Sequence, residues 1–109
     1  MTPAEEIEAA AVKLRSLVTD ATEGPWHTCD PNIRWGDDRD HRLVGGGKIL
    51  AKFNNGHNGP LNADYVAAMH SGVGEKLTRW LRSAARDARE IGPDPHALAV
   101  ARAINGSQP

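Results

Sequence analysis

The sequence predicts an α+β fold: about four helices and a two- to three-stranded antiparallel sheet in the middle third. Three observations carry that expectation. Apolar residues recur at three- and four-residue steps near both ends of the chain. Capping residues and Gly/Pro stops bound each of those stretches. Between them, two short runs flank Gly45-Gly46-Gly47, as the arms of a hairpin do.

The first helix is expected over Pro3–Thr19. Thr2-Pro3-Ala4-Glu5 has the form of a capping box, in which Thr2 takes the N3 amide and Glu5 reaches back. Ile7, Ala10, Ala11, Leu14, Leu17 and Val18 form its apolar stripe, with Glu5, Glu6, Glu8, Lys13 and Arg15 off it. Glu23-Gly24-Pro25-Trp26 then stops the helix and turns the chain.

The middle of the chain reads as strands and loops over residues 26–60. Trp26–Cys29 suits a short strand closed by Asp30-Pro31-Asn32, and Ile33-Arg34-Trp35 is a weaker one. Gly36–Asp40 is polar and aperiodic, a loop. His41–Val44 and Lys48–Phe53 make the hairpin, joined by a loose three-residue loop. In the second arm Ile49, Ala51 and Phe53 share one face.

Three further helices follow, over residues 62–70, 72–91 and 95–105. Asn62 caps the first, Leu61 and Val66 staple it, and Tyr65, Val66 and Met69 face inward. Ser71 caps the second, whose stripe is Val73, Leu77, Trp80, Leu81, Ala84, Ala88 and Ile91; Gly92-Pro93 ends it. Asp94 caps the last, with Ala97, Val100, Ala101 and Ile104 inward and Gly106 as its stop. The first helix is expected to pack on the long one, with Trp26 and Trp80 in a shared core.

At 109 residues the chain is read as one domain, with 39% hydrophobic residues and 11 glycines and 7 prolines limiting the core. A net charge of −1 argues against a globally basic nucleic-acid binder. The single Cys29 excludes an internal disulfide and fits a reducing cytosol. No apolar run approaches the roughly 20 residues of a membrane span. A soluble, intracellular protein without a membrane partner is expected.

The N-terminal helix running into Ala21-Thr22-Glu23-Gly24-Pro25-Trp26, then short strands, then Ala63-Asp64-Tyr65-Val66-Ala67-Ala68-Met69-His70 before another helix, resembles the small Ead-like accessory proteins of phages and prophages. The likeness covers roughly residues 5–90. It implies an accessory role in the cytoplasm of an infected or lysogenic bacterial host, and brings no catalytic residues with it. The turn itself has a physical reading: Gly24-Pro25 reverses the chain and Trp26 sets a large ring under the helix end.

Catalytic chemistry finds little support. His27, Cys29, Asp30, Asp37, Asp38, Asp40 and His41 are of metal-ligand type, but no C-x-x-C or H-x(3–5)-H pair is present. No bound metal or other cofactor is expected, and Cys29 reads as structural. Gly45-Gly46-Gly47-Lys48 lacks the spacing of a phosphate loop. Asn54, Asn55, His57 and Asn62 lead into a helix N-terminus, where free amides favour an anion or nucleotide. A turn-rich linker is the plainer reading.

The sharpest surface signal is Arg79, Arg82, Arg86 and Arg89, one face of the long helix. From Glu75 to Glu90 five basic and three acidic residues leave a net +2. That face can stay solvated, meet an acidic protein, or meet a nucleic acid, in that order of expectation. The function expected is therefore nonenzymatic binding of a host or phage macromolecule, a protein before a nucleic acid. The competing expectation is a small nucleotide- or metal-binding protein, hydrolytic through a metal held by His27, His41 and the Asp37/Asp38/Asp40 loop.

Overall fold

A capping box opens the first helix, α1 (Pro3–Asp20), in the computed structural model, which describes residues 1–29, 41–53 and 58–106. Glu5 N–H donates to Thr2 Oγ1 at 3.1 Å and Thr2 N–H donates to Glu5 Oε1 at 3.0 Å. The strands β1 (His27–Cys29), β2 (His41–Gly45) and β3 (Lys48–Phe53) follow. The helices α2 (Gly59–Ala68), α3 (Ser71–Glu90) and α4 (Pro95–Asn105) complete the order. The class is α+β, as expected. Contacts divide the chain into a helical unit, Met1–Ala21 with Gly74–Pro109, and a sheet unit, Thr22–Val73.

The core of the helical unit is Ile7, Ala10 and Ala11 of α1, Leu81, Ala84 and Ala85 of α3, and Ala97 and Ala101 of α4. Six of these eight are alanine, so the helix backbones approach closely and only Ile7 and Leu81 supply large fully buried side chains. Leu14, Ala88, Leu98, Val100 and Ile104 close the edges. The expected packing of the first helix on the long one is present. Polar contacts add to it where α1 meets α4. Arg102 forks onto Glu6, Nε to Oε1 at 3.2 Å and Nη2 to Oε2 at 3.3 Å. Asn105 Nδ2 donates to the Glu6 carbonyl and Lys13 Nζ to that of Ile104. Asp94 caps α4 through the His96 N–H, and Gly106 ends it at φ 74°.

Three residues expected in this core lie outside it. Trp80 is 40% exposed and Ile91 85% exposed, and Leu17 is exposed as well. The buried face of α3 is turned toward Gly74, Thr78, Leu81 and Ala85. Small residues explain the rotation. A Cβ on Gly74 would stand 2.6 Å from Val18 Cγ2, so α1 settles where α3 offers least bulk. Counting large apolar residues misplaces such a face.

In the sheet unit the strand order is β1-β2-β3, antiparallel throughout. The hairpin register pairs Gly45 with Lys48, which leaves a two-residue turn, Gly46-Gly47, at φ 59° and 75°. Both glycines take the left-handed conformations a tight hairpin needs, so Gly45 belongs to the strand rather than to a loose loop. A bulge lies between Leu43 and Val44. Those two and Arg42, 3% exposed, are buried in succession, so the central strand is covered on both faces.

Helix α2 packs against all three strands. It starts three residues earlier than Asn62, with Asn58 at the cap position and Pro60 in the first turn. Asn62 is thus inside the helix, its N–H bonded to the Asn58 carbonyl at 2.9 Å. The inward residues are Gly59 and Ala63, with Val66 and Ala67 half-buried; Tyr65 is 70% exposed, and Leu61 and Met69 are also exposed. The earlier start moves the inward face onto the small residues, so neither the Asn62 cap nor the expected staple is formed.

The turn after α1 and the start of α3 meet here. Thr22 O accepts from Trp26 Nε1 at 3.0 Å and from Ser71 Oγ at 2.8 Å. Ser71 therefore donates rather than caps; His70 Nδ1 takes the Gly72 N–H instead, at 3.0 Å. The Gly24-Pro25 peptide is cis. Trp26 lies on the sheet, where a Cβ on Gly45 would stand 2.5 Å from its Cδ1. It belongs to the sheet unit and Trp80 to the helical unit, where Trp80 is exposed rather than in the core.

Candidate functional site

The face of α3 that carries Glu75, Arg79 and Arg82 is set by helical spacing, and α1 answers it with Arg15, Val18 and Thr19 one turn apart. These six and Thr78 line a groove of about 420 Å³ within the helical unit. Gly74 makes it possible, because its missing Cβ lets Val18 reach the floor. Both hydroxyls are spent on the helices beneath them. Thr19 Oγ1 donates to the Arg15 carbonyl at 2.8 Å, and Thr78 Oγ1 to that of Gly74 at 2.9 Å. The guanidiniums are thus the donors left for a ligand.

Three guanidiniums against the Glu75 carboxylate leave the groove with a net charge of +2. Arg79 Nη2 and Glu75 Oε1 are 2.8 Å apart, both more than half exposed. Such an exposed pair is worth only a few tenths of a kcal/mol, so an incoming anion can displace it. Among the described residues no carboxylate lies within ion-pair distance of Arg15 or Arg82. Guanidinium forks in that state suit carboxylate or phosphate oxygens.

The four arginines picked from the sequence therefore separate. Arg79 and Arg82 open on the groove. Arg86 is exposed beyond it, and Arg89 leans toward Glu8 at 3.7 Å. Arg15 was missed, because its partner helix is some sixty residues away and no local pattern links them.

Of the other candidates, Asn54, Asn55 and His57 lie outside the described residues, as do Asp30, Asp37, Asp38 and Asp40. Asn62 is an exposed helix residue and caps nothing. Among the described residues no group of three or more His, Cys, Asp or Glu side chains is placed to hold a metal ion. Nor is any helix among them long and apolar enough to cross a membrane. The fold and groove define a class, a small α+β domain with an arginine-lined groove between two of its helices. Compared with known proteins, the chain matches no family model, no curated protein and no solved structure.

Proposed function

We propose that this chain is a nonenzymatic binding protein that grips an acidic surface of a partner protein through Arg15, Arg79 and Arg82. The observation that carries the reading is the convergence of Arg15 from α1 with Arg79 and Arg82 from α3 on one groove. A protein partner is favoured over nucleic acid because no aromatic side chain lines the groove for base stacking. The resemblance of its Gly-Pro-Trp turn and Ala63–His70 segment to phage accessory proteins supports a host or phage protein as the partner, in a bacterial cytoplasm.

Affinity capture from host lysate tests this, with wild type beside a variant carrying Arg15→Ser, Arg79→Ser and Arg82→Ser. The expected partner is acidic, is lost from the triple variant, survives nuclease treatment and weakens with added salt. Recovery of the same proteins by both baits would overturn the site. Loss of the partner on nuclease treatment would turn the reading to nucleic acid.

A further inference from the structure

The turn between α3 and α4 holds a second groove, of about 280 Å³, with Trp80, Asp87, Ile91, Pro93 and Asp94 among its lining residues. That volume is at the lower edge of the roughly 300–1,000 Å³ of small-molecule sites, so it suits one extended side chain better than a cofactor. Its polarity is the reverse of the arginine groove. Asp87 and Asp94 supply two carboxylates, and no basic residue lines it. Asp94 commits Oδ1 to the His96 N–H at 2.9 Å and keeps its second oxygen. Asp87 has no ion-pair partner among the described residues. The final carbonyls of α3 add negative potential at the same end. Trp80, 40% exposed, offers the ring best suited to holding a cation against its face.

We propose that this groove binds a cationic side chain, lysine or arginine, of a partner polypeptide, stacked on Trp80 and ion-paired to Asp87. The charge of the lining selects that occupant: an acidic or purely apolar segment would leave both carboxylates unanswered. The site is independent of the arginine groove and stands if that reading fails.

The probe is a dye-labelled peptide of four arginines with blocked ends, titrated into the full chain, with a four-glutamate peptide as control. Anisotropy reads affinity, and the Trp80 indole N–H cross-peak, assigned by its loss in Trp80→Phe, reads location. The arginine peptide should move that cross-peak saturably and the glutamate peptide should not. Asp87→Asn should weaken binding about two- to fivefold, and Trp80→Leu about tenfold. If Trp80→Leu fails to fold, Asp87→Asn carries the test alone. A Trp80 cross-peak that stays still, or affinity unchanged by Asp87→Asn, overturns the proposal. So does a dimer of the free chain in sedimentation that Asp87→Asn dissociates, since the cation would then be this chain's own.

Discussion

A Cβ on Gly24 would stand 2.4 Å from His70 Nδ1, the atom that accepts the Gly72 N–H at the start of α3. The glycine of one distinctive segment and the histidine of the other are thus a fitted pair. His70 uses its Nδ1 lone pair as the acceptor.

Gly24→Ala should destabilise by about 1–3 kcal/mol, the usual range for overpacking. His70→Asn alone should cost less, because asparagine is a good capping residue. The double variant should be more stable than the sum of the two predicts, since the smaller side chain yields the space. Urea unfolding of the four proteins measures the coupling. Strict additivity would mean that the two residues do not press on each other.

At the α1–α3 crossing two effects of opposite sign compete. Gly74→Ala gains about 1 kcal/mol of helix propensity. It also drives a Cβ to 2.6 Å from Val18 Cγ2. Valine is stiff at χ1 and cannot swing away, so the clash of about 1–3 kcal/mol should win. A lowered melting temperature is expected, recovered when Val18→Ala is added. A Gly74→Ala protein that melts higher than wild type would show that α1 shifts freely there.

Leu81 is fully buried where Trp80 is not. Leu81→Ala should therefore cost about 2–5 kcal/mol, and Trp80→Ala less than the roughly 3–5 kcal/mol of a core tryptophan. Chemical denaturation ranks them directly. The reverse order would return Trp80 to the core.

The hydrogen bond from the Thr2 backbone N–H, then that involving its hydroxyl, holds the Glu5 carboxyl below its ordinary 4.5. A depressed carboxyl stabilises the fold above its unfolded pKa, and that contribution disappears as pH falls from 4.5 through the lower folded value. Glu5→Ala should flatten the acid limb of the stability–pH profile over that window and leave the slope near neutrality unchanged. Equal acid slopes in both proteins would refute the link.

Element type was legible wherever chemistry is local. The Thr2–Glu5 box, the Asp94 cap with Pro95, the Gly106 stop and the glycine hairpin are all short-range, and each forms. Faces were less legible. Periodicity weighted Trp80, Tyr65 and Met69 by size, whereas the packing chose Gly74, Thr78, Ala63 and Ala85, whose smallness lets neighbours approach. The Arg42 burial and the Arg102–Glu6 fork left no trace in spacing. Half of the arginine groove was visible on α3. Its other half required knowing which turn of α1 lies against Gly74, and that is decided by packing between distant segments.

The contacts between α1 and α4 join residues 91 to 99 positions apart, while Thr22–Val73 closes on itself without interruption. On the ribosome that order has a consequence. The first helix is made long before Ala97 and Ala101 exist to cover it, and Ile7 and Ala11 must wait with water or a chaperone against them. The sheet unit, one unbroken span, is fully synthesised by then. Its closure would shorten the free chain linking α1 to its late partner, which lowers the entropy lost when the two finally meet.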